Sequence, residues 1–194
     1  MSVLTAANQL TFLRLILVPV FALCMLYGEP GWALLTFLVA GLTDALDGLI
    51  ARRMGQPTTL GAWLDPMADK LLLLTMFVML TLPGLRLANY VPLWLTVIVI
   101  SRDVAIVLTV AVVNLAVARR TFRPTLLGKT ATATYILTGV CALYENYRGV
   151  PSALVQVFIY LSLAVTLLSS VHYVLRVLSW ISAGEHPIDP PASR

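Results

Sequence analysis

The chain alternates long apolar runs with short polar breaks, and this pattern predicts six helices. Each run is roughly 20 residues or longer, the length that an α-helix needs to cross the apolar core of a bilayer. Glycine and proline mark the breaks, as in the segments 28–31 and 83–84. We therefore predict an all-α integral membrane protein with six transmembrane helices. The runs cover approximately residues 8–27, 31–53, 60–82, 90–118, 126–145 and 151–182.

The composition supports this class of protein. Of the 194 residues, 59% are hydrophobic and only 11% are charged, whereas a soluble domain carries about 25% charged residues. We expect one six-helix domain over residues 1–183 and a flexible, proline-containing tail over 184–194. The net charge of +4 suits a surface that faces anionic lipid and gives no indication of nucleic-acid binding.

The distribution of arginine predicts the orientation. Six crossings place both termini on one side of the membrane, and positive charge favours the cytoplasmic side. Only Arg86 and Arg148 fall in the breaks of the opposite side. We therefore expect the termini in the cytoplasm, most simply at the inner membrane of a bacterium. The arginines on the side of the termini are Arg52, Arg53, Arg119, Arg120, Arg123 and Arg194.

Four aspartates interrupt the second and third apolar runs near this cytoplasmic side. A carboxylate at membrane depth costs several kcal/mol, so such a residue usually has a function. Asp44 and Asp47 are three residues apart and share one helix face, and Asp65 and Asp69 are four apart and share a face of the next helix. A short connection makes these helices antiparallel neighbours. The two acidic faces are therefore expected to meet.

Carboxylates brought together in a narrow gap repel one another unless a cation lies between them. Oxygen ligands without a nearby His or Cys favour Mg²⁺ or Mn²⁺ over Zn²⁺, and two such ions about 3.5–4 Å apart are suited to phosphate displacement. Gly48 and Gly61 allow a bulky group to approach the backbone. Arg52 has the planar fork that binds phosphate.

Two alternatives stay open at this point. In the first, the aspartates form salt bridges with Arg52, Arg53 and Lys70 inside the helix bundle. In the second, they belong to a cation transporter. A transporter would spread its acidic residues along a path, often in two related halves, whereas here they form a single cluster.

The pattern Asp44-x2-Asp47-Gly48-x2-Ala51-Arg52-x8-Gly61-x3-Asp65-x3-Asp69 resembles the signature of the CDP-alcohol phosphatidyltransferases, and every fixed position matches. The resemblance implies six transmembrane helices, a homodimer and an active site that faces the cytoplasm. It also implies a reaction, in which a CDP-linked lipid such as CDP-diacylglycerol donates its phosphatidyl group to an alcohol and CMP leaves.

The resemblance also implies roles for the residues of the signature. The four aspartates would surround the metal ions, and Asp69 would in addition be the general base that takes the proton of the acceptor hydroxyl. The pocket for cytidine diphosphate would be formed by Asp44, Gly48, Ala51, Arg52 and Gly61.

The acceptor is less strongly indicated. Asn8, Thr11 and Arg14 form an N-x2-T-x2-R pattern that resembles glycerol-phosphate-using members of the family. Arg14, Arg102, Arg123 and Lys129 are candidates to bind an anionic acceptor. Two of these arginines have a simpler explanation, because Arg14 can extend to the membrane interface and Arg102 can pair with Asp103. We expect glycerol 3-phosphate as the acceptor, with phosphatidylglycerol as the alternative and an inositol phosphate third.

Overall fold

The computed structural model describes residues 6–54, 59–116 and 126–182, and within these residues the fold consists of six α-helices. Outside the helices the same residues form only turns and loops. Every predicted helix is present, and the bounds agree with the apolar runs to within a few residues. The helices are α1 (Ala6–Leu26), α2 (Pro30–Met54), α3 (Thr59–Thr81), α4 (Leu93–Ala116), α5 (Leu126–Arg148) and α6 (Ala153–Ser182).

Three stretches within the described residues are long and apolar enough to cross a membrane. They are Gln9–Leu26 in α1, Leu126–Arg148 in α5 and Ala153–Arg176 in α6. A shorter apolar stretch, Pro30–Thr43, occupies the first half of α2. The side chains of the second half of α2, which carries the signature residues from Asp44 on, lie outside the described part.

Helices α1 and α5 each end in a glycine turn of the same type, at the end of the bundle away from the signature. Gly28 has φ of +75°, and its N–H donates to Met25 O (3.1 Å) while Glu29 N–H donates to Cys24 O (2.9 Å). Gly149, with φ of +67°, closes α5 with the same pair of bonds. This is the Schellman arrangement, and it needs a residue without a Cβ at the left-handed position. Each turn reverses the chain into the next helix.

Aromatic and methionine side chains fill the centre of the bundle, where α1 packs on α2 and α3, and α5 packs on α2, α3 and α6. Phe21 of α1 meets Phe37 of α2 with ring centroids 6.0 Å apart. Phe77 of α3 and Tyr135 of α5 form a T-shaped pair with ring centroids 5.6 Å apart. One turn along α5, Gly139 lies against the fully buried Met76. The glycine therefore allows α3 and α5 to approach closely.

Hydroxyl groups join α5 to α6 through the buried seam between them. The Tyr135 hydroxyl lies 2.7 Å from Thr166 Oγ1, and Thr138 Oγ1 lies 2.7 Å from Ser162 Oγ. Small hydroxyl residues let helices in a membrane pack closely and hold them by hydrogen bonds where there is no hydrophobic force between them. This seam fixes α6 on α5.

At the end of the bundle away from the signature, Asn89 ties the α3–α4 connection to α5. The Asn89 N–H donates to Asn146 Oδ1 (2.7 Å), and Asn146 Nδ2 donates to Asn89 O (2.9 Å). The Asn89 side chain then accepts from Ser152 N–H (2.7 Å) and donates to Val150 O (2.8 Å). Both asparagines are buried. The α3–α4 and α5–α6 connections therefore form one hydrogen-bonded unit.

Candidate active site

The residues of the signature lie on the two helices that were predicted to carry them. Asp44 to Arg52 occupy the last turns of α2, and Gly61 to Asp69 occupy the first half of α3. The side chains of Asp44, Asp47, Gly48, Ala51, Arg52, Gly61 and Asp65 are outside the described part of the structure. Asp69 is the one aspartate of the four whose side chain is described, and its surroundings define the described part of the site.

Asp69 forms an ion pair with Arg14. The Nη1 atom of Arg14, on α1, donates to Asp69 Oδ1 across 2.6 Å. The Arg14 side chain is completely buried, whereas that of Asp69 is 40% exposed. A charge-assisted bond of this length fixes the position of the carboxylate strongly. The predicted general base is thus anchored from the protein interior while part of its carboxylate faces outward.

This contact corrects one sequence-based expectation. Arg14 does not extend to the membrane interface, because no part of its side chain is exposed. Asp69 pairs with Arg14, which was not among the expected partners Arg52, Arg53 and Lys70, and the side chains of Arg52 and Arg53 lie outside the described part. Thr11, one turn before Arg14, is also buried. The polar face of α1 thus points into the bundle, whereas the side chain of Asn8 lies outside the described part.

Lys70, the residue after Asp69, has its partner on α4. Its Nζ lies 3.4 Å from Asp103 Oδ2. The other oxygen of Asp103 accepts from Arg102 Nη1 at 2.8 Å. The Nη2 atom of Arg102 in turn donates to Ser169 Oγ of α6 at 2.7 Å. We call Lys70, Asp103, Arg102 and Ser169 the α3–α4–α6 relay.

The four acceptor candidates fall into two groups. Arg14 and Arg102 are both buried or nearly so, and both already bind protein oxygens. The expected pairing of Arg102 with Asp103 is confirmed. Lys129 is exposed in the first turn of α5, at the same end of the bundle as the start of α3. Arg123 lies outside the described residues.

Sequence reasoning missed two parts of this arrangement. It named Arg14 and Asp69 separately but did not join them, although an arginine in the middle of an apolar helix signals a buried partner. Ser169 was missed completely, because a serine in an apolar helix has the same appearance whether it faces lipid or a guanidinium group.

The potential metal ligands at the end of α2 and the start of α3 suit a hard divalent cation, because all four acidic residues supply only oxygen. Within the described side chains, no group of three or more His, Cys, Asp or Glu is placed to hold a metal ion. Three of the four aspartates are outside that set. The described carboxylate, Asp69, is held in place and partly exposed, as a metal ligand or a base requires.

Comparison with known proteins assigns the class. The family model for CDP-alcohol phosphatidyltransferase matches residues 4–168, which include the whole signature and all helices from α1 into α6. The chain belongs to the CDP-alcohol phosphatidyltransferase family and is an enzyme of that type.

Similar proteins are named as two kinds of enzyme, phosphatidylglycerophosphate synthase and CMP-forming cardiolipin synthase. The chain is 34% identical over 181 residues to a probable phosphatidylglycerophosphate synthase of Mycobacterium tuberculosis, covering 89% of this chain and 81% of the relative. It is 36% identical over 165 residues to a CMP-forming cardiolipin synthase of Streptomyces coelicolor, covering 80% and 73%. A human CMP-forming cardiolipin synthase is 41% identical over 107 residues, covering 55% of this chain and 34% of the human protein.

Proposed function

We propose that this enzyme transfers the phosphatidyl group of CDP-diacylglycerol to glycerol 3-phosphate, giving phosphatidylglycerophosphate and CMP. The observation that carries the reaction type is the complete signature from Asp44 to Asp69 in a chain that matches the family over residues 4–168. The choice of acceptor is supported by the similarity to a phosphatidylglycerophosphate synthase over 89% of the chain.

In the proposed reaction, the acceptor hydroxyl oxygen attacks the phosphorus that bears the diacylglycerol. A new P–O bond forms, the bond to CMP breaks, and CMP leaves with the electron pair. Asp69 takes the proton of the hydroxyl group, for which its carboxylate must come within hydrogen-bond reach. The ion pair to Arg14 supports this role, because a base that is held in one orientation needs no reorganisation during the reaction.

We further propose that Asp44, Asp47, Asp65 and Asp69 hold Mg²⁺ or Mn²⁺, in a site for two ions. When bound, the ions would neutralise the diphosphate and the charge of the leaving CMP. Gly48, Ala51, Arg52 and Gly61 would bind the cytidine diphosphate beside Asp44. Arg52 would contact a phosphate through its planar fork.

For the acceptor, we propose that Arg123 and Lys129 bind its anionic group. The support for Lys129 is its exposure in the first turn of α5. The guanidinium groups of Arg14 and Arg102 are bound to protein oxygens. We therefore propose that they hold residues of the site in position and do not contact the acceptor.

The proposed setting is a bacterial inner membrane, with the termini and the active site on the cytoplasmic side and the enzyme a homodimer. The arginine distribution supports the orientation, and the family resemblance supports the dimer. Thiol-labelling of single cysteines placed in the 54–59 and 84–91 connections of intact cells tests the sidedness. Labelling of the first connection from outside would contradict it.

An acceptor panel tests the proposed function. Purified enzyme in vesicles with CDP-diacylglycerol and Mg²⁺ is given glycerol 3-phosphate, phosphatidylglycerol, inositol 1-phosphate or serine, and the CMP and lipid products are measured. We expect phosphatidylglycerophosphate from glycerol 3-phosphate, loss of product after chelation, and recovery with Mg²⁺ or Mn²⁺. Glu145→Gln, which alters a peripheral ion pair with Arg148, is the matched control and should keep full activity.

Cardiolipin synthesis is the second candidate, because the relative from Streptomyces coelicolor is also similar over most of the chain. Phosphatidylglycerol would then be the only acceptor to give product. An inositol phosphate acceptor would show in the same panel. Acceptor-independent uptake of Mg²⁺ into vesicles would indicate a cation transporter.

A further inference from the structure

Asp103 binds two cations that come from two different helices. Its Oδ2 faces Lys70 of α3 at 3.4 Å, and its Oδ1 accepts from Arg102 of its own helix at 2.8 Å. The Arg102 side chain is only 10% exposed and reaches on to Ser169 of α6. One carboxylate therefore joins α3, α4 and α6 at the level of the predicted base.

Apolar packing buries α4 at Leu95 and Val99 but not near Asp103. Within the described residues, α4 contacts only α3 and α6, and most of its apolar side chains from Val97 to Leu108 are exposed or only partly buried. The other described polar contact between α3 and α4 is the Thr81–Thr96 pair (2.6 Å), about three turns from Lys70 along α3 and close to the opposite end. At the level of Asp69, the Lys70–Asp103 pair is the described polar link between the two helices.

We propose that Asp103 is a positioning residue that holds the part of α3 carrying Asp69 in place. The inference rests on the proposed function, in which Asp69 is the base that acts on the acceptor hydroxyl. Lys70 follows Asp69 directly, so loss of its contact with Asp103 allows this turn of α3 to shift and changes the distance between the base and the acceptor hydroxyl. The α3–α4–α6 relay thus keeps the Asp69 carboxylate in register with the acceptor.

The pocket proposed for CDP-diacylglycerol does not depend on Asp103. The cytidine diphosphate pocket is proposed on α2 and the start of α3, and α2 has no contact with α4 within the described residues. Loss of the Asp103 carboxylate should therefore weaken use of the acceptor and leave donor binding intact. A carboxylate that merely stabilises the bundle would affect the two substrates alike.

The test compares Asp103→Asn and Asp103→Glu with the wild-type enzyme and with Glu145→Gln, the control ion pair at the far end of the bundle. Three quantities are measured: kcat and KM for the acceptor that the panel identifies, binding of cytidine 5′-diphosphate with Mg²⁺ by calorimetry, and the thermal unfolding midpoint. Displacements of about 1 Å cost up to roughly 100-fold in rate. We expect Asp103→Asn to lower kcat/KM for the acceptor at least about tenfold, with cytidine diphosphate affinity unchanged and partial rescue by Asp103→Glu.

A double-mutant cycle adds a second arm. If Lys70 and Asp103 act as one unit, Lys70→Met and Asp103→Asn together should cost little more than either alone. Wild-type acceptor kinetics in Asp103→Asn would overturn the proposal, and so would an equal loss of acceptor use, nucleotide binding and thermal stability. If the wild-type enzyme itself releases no CMP with any acceptor, the proposed function fails first, and the positioning role fails with it.

Discussion

Arg14 and Asp69 lie 55 positions apart in the sequence, and their side chains meet at 2.6 Å. The arginine is fully buried and the aspartate is partly exposed. Arg14 therefore supports the carboxylate from inside the bundle, and Asp69 lies at the edge of the proposed site. Because the two residues have different positions, we expect different effects when each is changed.

Changing Asp69 should remove catalysis while the fold is retained. In Asp69→Asn the amide oxygen can still accept the hydrogen bond of Arg14, but the side chain no longer takes a proton from the acceptor. We expect no measurable CMP release and only a modest fall in the unfolding midpoint. The measurement is CMP release over time beside a thermal scan of the same preparation. Turnover at the wild-type rate would remove Asp69 from the role of base.

Changing Arg14 should weaken catalysis without abolishing it. Arg14→Gln leaves Asp69 in place but frees its orientation, so we expect kcat to fall by about 10–100-fold. Arg14→Lys keeps the charge but loses the planar guanidinium group, so its kcat should lie between those of the wild type and Arg14→Gln. Steady-state kinetics at saturating acceptor measure the effect, with Glu145→Gln, which alters the ion pair with Arg148, as the control. Unchanged kcat in Arg14→Gln would contradict the positioning of the base by α1.

The close approach of α3 and α5 makes Gly139 sensitive to added volume. A Cβ at this position would lie 1.9 Å from Met76 Sδ, and Met76 is fully buried. We expect Gly139→Ala to destabilise the protein by about 1–3 kcal/mol, the usual cost of overpacking. The readout is the unfolding midpoint in detergent.

Two other glycines provide controls for Gly139. At Gly31 the Cβ would lie 2.6 Å from Tyr147, but that ring is 63% exposed and can turn away, so Gly31→Ala should cost less. A Cβ at Gly41 would meet nothing within 4 Å, so Gly41→Ala should cause no loss. Equal effects at all three positions would show that helix propensity, and not the contact with Met76, controls the result.

The paired asparagines should matter for stability and not for chemistry. Asn146→Ala leaves the buried N–H and C=O of Asn89 without their partners, which costs about 1–3 kcal/mol for each group left unsatisfied. We expect a lower unfolding midpoint but wild-type kcat for the folded enzyme, because the pair lies at the end of the bundle away from Asp69. A loss of kcat equal to that of Arg14→Gln would show that the two ends are coupled.

The sequence predicted the helices well because each apolar run ends at glycine, proline or charge. It predicted the rotation of the helices poorly. Phe21 is fully buried and Leu23 is half exposed on the same helix, and both are apolar because lipid and protein interior favour the same side chains. The signature residues were found through their spacing, which depends on the helix repeat alone. The partners of Asp69 and Lys70 depend on which faces meet, and so the sequence did not reveal them.

The burial of Arg14 also bears on how the chain enters the membrane. An arginine at the centre of a helix resists insertion by about 2.5–3.5 kcal/mol, and its partner is synthesised 55 residues later. The first helix therefore enters the membrane before this partner of Arg14 has been synthesised. Completion of the ion pair is then a late event in biogenesis, and it links the final placement of the first helix to the helix that carries the proposed base.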